Sequence, residues 1–202
     1  MNLRTKQARQ TYEHILVTAE QLLEGSSYEE LSIDQICECA NISKGGFYHH
    51  FSSKDELISL LIGRQMGNLI TERIKPCLKE KSAFELLEIY LETTMEYLQK
   101  SPRSMLARCW LLLSENPEIT NSEFLHEAFY IFHTIVEKGK VEGSIRLEIT
   151  DEFCQAYLNG AMTGIILYAA AFRETYPIKT FTKDSLKLLW ESISLKSNAT
   201  TL

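Results

Sequence analysis

Two serines placed to start helices, Ser32 and Ser43, with Asn41 between them, constrain this chain more than any other feature. Ser32 is followed by Gln35 in the pairing of a capping box, where each residue's side chain accepts from the other's backbone N–H. Asn41 adopts a left-handed backbone more readily than most residues other than glycine, so a tight turn is expected there before Ser43 caps the next helix. The pattern predicts a helix with Ile33, Ile36, Cys37 and Ala40 inward, then the turn, then a short helix anchored by Phe47 and Phe51, one turn apart. Gly45, Tyr48 and His49 fall on its other sides, and Ser53 with Glu56 repeats the capping-box pairing to open a further helix. Upstream, Tyr12, Ile15, Leu16, Ala19, Leu22 and Leu23 follow helical spacing until Gly25.

Two short helices joined by a tight turn and braced by a preceding helix form a helix-turn-helix, a reader of the DNA major groove. The stretch from Tyr28 through Ser32, Ile33, Lys44-Gly-Gly-Phe-Tyr-His-His-Phe51 and Lys54-Asp-Glu-Leu57 resembles the TetR-family signature over roughly residues 10–60. Asn41 stands where that family usually has Gly, and Ser26 and Ser27 lengthen the loop after Gly25. The resemblance implies an all-α protein of about nine helices. A three-helix DNA-binding unit in residues 1–53 would precede a larger effector-binding and dimerisation unit in residues 54–202. It further implies that Lys44, Gly45 and Gly46 approach base edges, that Tyr48 and Lys54 meet phosphate, and that His49 meets backbone or base. Ser32 and Ser43 expose helix-start N–H groups that can receive phosphate. The partners implied are a near-palindromic DNA operator, a second copy of the chain and a small-molecule effector; the alternative is a regulator without a small ligand that responds to a protein partner.

A formal net charge of −6 argues on its face against a nucleic-acid partner, but its distribution matters more. Arg4, Lys6 and Arg9 all precede the first acidic residue, Glu13, and give the N-terminal end a local positive charge. No apolar segment follows in the manner of a signal peptide, so a cytoplasmic location and no membrane span are expected. The cysteines at 37, 39, 77, 109 and 154 are odd in number and lack paired C-x-x-C spacing, so each is read as a small buried thiol.

Beyond the reader, a helix is predicted from Lys54 to about Ile74, stopping before Pro76 and linking the two units as a candidate lever. Ser82 with Glu85 opens a helix through Leu98, and Ser101-Pro102 opens another carrying Cys109 and Trp110. Thr120 with Glu123 opens a helix ending near Gly139 or Gly143, Thr150 opens a long one ending before Pro177, and Phe181 to Leu195 forms the last. The long helix carries Ala156, Gly160 and Gly164 as a small-residue stripe, and the last carries Leu186, Leu189, Trp190 and Ile193 on one face. Both stripes fit a dimer interface and fit packing within one chain equally well.

His126, Tyr130 and His133 form a polar aromatic stripe beside the apolar Phe129, Phe132 and Val136. With Trp110 and Tyr157 that stripe can supply the few placed polar groups an effector pocket needs, or it can simply pack or reach solvent. No cofactor or metal site is expected. His126 and His133 are two turns apart, about 10 Å along a helix, and the neighbouring His49 and His50 diverge on theirs. An enzyme using Cys109 or Cys154 with His126 or His133 would need an orienting group that no motif supplies.

Overall fold

The computed structural model describes residues 3–25, 27–100, 123–172 and 178–195, and its regular elements are helices. The described α-helices are α1 (Leu3–Gly25), α2 (Ile33–Cys39), α3 (Lys44–Tyr48), α4 (Lys54–Ile74), α5 (Ala83–Lys100), α6 (Glu123–Val141), α7 (Asp151–Phe172) and α8 (Ile178–Ile193). A 3₁₀ turn, Lys75–Cys77, contains Pro76 and follows α4, where proline cannot continue the α-helical ladder. The helix expected after Ser101-Pro102, with Cys109 and Trp110, lies outside the described residues, as does the Thr120 cap.

Local signals set most helix starts. Ser82 and Glu85 exchange side-chain and backbone hydrogen bonds ahead of α5, while Thr150 Oγ1 accepts from the Phe153 N–H at the head of α7. At Ser53 only half of the expected box forms. The serine accepts from the Glu56 N–H, but the Glu56 carboxylate turns back to the N–H and hydroxyl of Ser52.

Two hydrophobic clusters organise the chain, and α4 contributes to both. Ile15, Leu16 and Ala19 of α1 pack with Ile36, Phe47, Phe51 and with Leu57, Ile58, Leu60, Leu61 and Ile62 of α4. The second cluster joins Ile70 and Ile74 of α4 to Leu86, Tyr90 and Leu91 of α5, Phe132 and Val136 of α6, Leu158 of α7, and Leu186, Leu189 and Ile193 of α8. Burial of this apolar area is the main force holding the helices together.

The α8 stripe is therefore spent within the chain. The α7 stripe is not, for a Cβ added at Gly160 or Gly164 would meet nothing within 4 Å. Around these glycines the same helix leaves Phe153, Tyr157, Leu167 and Tyr168 exposed, and α8 leaves Leu188 exposed. An antiparallel bridge, Ile145 with Ser194, ties the α6–α7 loop to the end of α8. No helix among the described residues is long and apolar enough to cross a membrane.

Candidate nucleic-acid interface

The reader is assembled from backbone geometry outward. Ser32 Oγ accepts from the Gln35 N–H at 3.2 Å while Gln35 Oε1 accepts from the Ser32 N–H at 2.8 Å, closing the capping box. Asn41 turns the chain with φ 52°, the left-handed conformation expected of it. Ser43 Oγ then accepts from the Gly46 N–H at 3.0 Å and starts α3.

Phe47 and Phe51 are fully buried and fix the rotation of α3, so its opposite face points outward. That face presents Lys44, Gly45, Tyr48 and His49, with Tyr48 55% exposed and Gly46 at the margin. A Cβ at Gly45 would approach only Ser43 Oγ at 3.8 Å, and one at Gly46 would meet ordinary contacts of 3.5 and 3.8 Å. Packing inside the chain thus requires glycine at neither position, although each weakens the helix it occupies.

Lys44 and Asp34 form an exposed ion pair of 2.7 Å between α3 and α2, and this hydrogen bond and charge hold the ammonium above its ordinary range. Lys54 is engaged differently. Its ammonium donates to the Leu31 carbonyl at 2.7 Å and the Tyr28 carbonyl at 2.9 Å, and lies 4.2 Å from the centre of the Tyr28 ring. The Tyr28 hydroxyl donates in turn to the Asp55 carboxylate. A residue expected only as a cation toward phosphate is therefore also a brace under the loop before α2.

His49 is the C-cap of α3 rather than part of its body, so the two histidines do not diverge as helix neighbours would. Their ring centroids are 5.1 Å apart, and the half-buried His50 ring also meets Tyr12 of α1 edge-on at 6.2 Å. Burial, with His49 beside it, pushes the His50 imidazole below the usual histidine range. Reasoning from spacing missed Asp34, Tyr28 and Asp55. The acid in the first turn of α2 was a readable signal, whereas the Tyr28–Lys54 contact joins distant parts of the chain.

The residues expected around an effector differ in exposure where they are described. Trp110 lies outside the described residues; His126 belongs to α6, but its side chain lies outside them too. Tyr130 is 58% exposed, and Tyr157 is 40% exposed and stacked on Phe153 at 6.2 Å. His133 is half-buried. The interior instead holds Tyr90, which spacing had not singled out, edge-on to Phe132 at 5.4 Å, and burial pushes its phenol titration upward.

Of the cysteines expected to be buried, Cys37 and Cys154 are, Cys77 is only partly so, Cys39 is exposed, and Cys109 lies outside the described residues. Burial pushes the Cys154 thiol up, away from the thiolate a nucleophile needs.

The pattern described as bacterial regulatory proteins of the tetR family matches residues 15–61, which contain α2, α3 and the start of α4. The Transposon Tn10 TetC protein of Escherichia coli is 28% identical over 98 residues, 48% of this chain and 49% of that protein, so the match spans about half of that relative. The fatty acid metabolism regulator protein of Bacillus subtilis (strain 168) is 22% identical over 194 residues, covering 95% of this chain and 100% of that protein. Among solved structures, Thermus thermophilus FadR, a TetR-family transcriptional repressor in complex with lauroyl-CoA, superposes with a TM-score of 0.74 at 17% identity, covering 95% and 99% of the two chains. At that identity the likeness speaks for the fold.

Proposed function

Because the chain belongs to the tetR family of bacterial regulatory proteins, we propose that it is a cytoplasmic repressor that grips a near-palindromic operator as a homodimer and releases it on binding a small molecule. One observation carries the reading: the face of α3 bearing Lys44, Gly45, Tyr48 and His49 is turned outward by two fully buried phenylalanines and by caps at both Ser32 and Ser43. Lys44 and the paired glycines approach base edges, Tyr48 and His49 meet the backbone, and the helix-start N–H groups beside Ser32 and Ser43 receive phosphate. Lys54 orients the reader and presents its remaining charge to phosphate.

In this reading residues 1–53 hold the reader and residues 54–202 hold the effector and the dimer contact, with α4 shared between them. The open Gly160–Gly164 stripe of α7, flanked by exposed aromatic side chains, supports pairing with a second copy. The effector lodges against the α5–α6 interior near Tyr90 and His133, with Trp110 and His126 as further contributors; Tyr130 and Tyr157, exposed in one chain, belong to its outer wall. Acyl-CoA thioesters are the first class to try, since Thermus thermophilus FadR, whose fold this chain resembles, is solved in complex with lauroyl-CoA.

The test is to select genomic fragments that the protein retains, then add lauroyl-CoA. Coupling of about 1–3 kcal/mol weakens operator binding roughly 5- to 150-fold, and linkage requires the operator to weaken acyl-CoA binding by the same factor. Failure to retain any fragment would remove the DNA-reading role. Equal operator affinity with and without lauroyl-CoA would remove acyl-CoA as the effector.

A further inference from the structure

The reader and the larger unit are joined by more than the shared backbone of α4. Between Ile62, the last α4 residue of the first cluster, and Ile70, the first buried α4 residue of the second, the helix carries Arg64, Gln65 and Met66 between Gly63 and Gly67, with Met66 packed against the second cluster. Two glycines weaken a helix interior, so the stiffness of α4 alone is a poor guarantor of how the reader sits. Side-chain links occur at this junction. Arg64 Nη1 donates to the Glu13 carboxylate of α1 at 3.2 Å, and Gln65 Nε2 donates to Glu20 Oε1, further along α1, at 3.0 Å.

Gln65 has a second partner. The hydroxyl of Tyr97, on α5, donates to Gln65 Oε1 at 2.8 Å. The polarity of this chain is fixed by chemistry: a carboxylate only accepts, so the amide nitrogen must face Glu20, which leaves the amide oxygen for the Tyr97 O–H. All three groups are partly buried, where a lost hydrogen bond is not fully replaced by water. The Tyr97 ring packs against both hydrophobic clusters, and among the described partly buried hydrophobic residues it is the one common to both.

We propose that Gln65 is a positioning residue: its amide, held by Tyr97 of α5 and holding Glu20 of α1, sets the attitude of the DNA reader relative to the effector unit. The proposal rests on the DNA-reading role assigned to α3 and names the regulatory contact behind it. A shift of α5 moves the Tyr97 hydroxyl, and the amide carries that shift to α1 without any change in the packing of α3. Removing the Tyr97 hydroxyl or the Gln65 amide leaves each reader intact but lets its direction wander.

The experiment uses the whole chain and four variants: Tyr97→Phe, Gln65→Ala, Gln65→Glu and the exchanged pair Glu20→Gln with Gln65→Glu. The first readout is amide hydrogen exchange without DNA. Tyr97→Phe and Gln65→Ala should raise exchange several-fold in α1 around Glu20 while leaving α8 unchanged. Gln65→Glu should do most, because it sets two carboxylates face to face. The exchanged pair should return exchange to the wild-type pattern, since the amide at position 20 then donates to the new carboxylate, which still accepts from Tyr97. The second readout is selection from paired half-sites of varied spacing. Tyr97→Phe should broaden the accepted spacing with unchanged base preference within each half-site, which general destabilisation would not produce. Wild-type exchange in α1 for both Tyr97→Phe and Gln65→Ala would overturn the proposal. Wild-type protein recovering no paired half-sites would instead count against the operator reading, and the exchange result would still decide this one.

Discussion

The ammonium of Lys54 sits 4.2 Å from the centre of the Tyr28 ring and donates to the Leu31 carbonyl at 2.7 Å. One residue at the head of α4 thereby closes the loop that delivers α2, and α2 in turn carries Asp34 to Lys44 on α3. The reading face is held from behind by a cation as well as by its phenylalanine core.

Replacing Lys54 with Met keeps the apolar stem and removes the two charge-assisted hydrogen bonds. Loss of about 1.5–3 kcal/mol is expected, at roughly 2–4 °C of melting temperature per kcal/mol. Scanning calorimetry checks it, and salt titration of DNA binding runs beside it. An unchanged melting temperature with a flatter salt slope would make Lys54 a phosphate contact and not a brace.

Lys44→Ala should behave in the opposite way. Its ion pair with Asp34 is more than half exposed on both sides, where water screens the attraction, so the melting temperature should stay close to wild type. Base preference in a binding selection should nevertheless shift, whereas Tyr48→Phe should weaken all sequences alike. A Lys44→Ala selection identical to wild type would take Lys44 out of base recognition.

At α7, Gly164→Leu places a branched side chain in what is open space within one chain. The fold should tolerate it, while dimerisation should weaken if the stripe meets a second copy. Light-scattering mass against concentration measures this. A dimer of unchanged affinity would move the contact to another surface.

His50 gives a pH signature. Burial depresses its imidazole in the folded chain, so the folded state binds fewer protons than the unfolded state below the ordinary histidine value of about 6.5. Its contribution to stability is full above that pH and is lost as pH falls through the folded value. Denaturant midpoints at pH 7.5 and 5.0 should therefore differ less for His50→Gln than for wild type; an equal difference would assign the acid sensitivity elsewhere.

Much of the reader was legible from spacing because its signals close within a few residues. Ser32 with Gln35, Asn41 and Ser43 each act on backbone groups no more than one helical turn away, and each takes the predicted conformation. The Ser53–Glu56 pairing shows how narrow that legibility is, for Ser52, one residue upstream, captured the glutamate. Which helix faces would be covered was the least legible. Helical periodicity placed Tyr130 and Tyr157 on faces of their helices but did not say which face would be covered, and both are exposed.

The sequence by itself determined the helices, their caps and the turn at Asn41, because those depend on hydrogen bonds between near neighbours along the chain. Only the tertiary structure decided between two apolar stripes that looked alike: that of α8 is buried within the shared cluster, where α8 packs on α5 and α7, while that of α7 is left open around Gly160 and Gly164. It also decided that Lys54 braces a loop and that Gln65 joins α1 to α5. Periodicity records that a face is apolar or that a side chain has a donor; what that face or donor meets depends on residues brought together by folding, and no local spacing encodes the meeting.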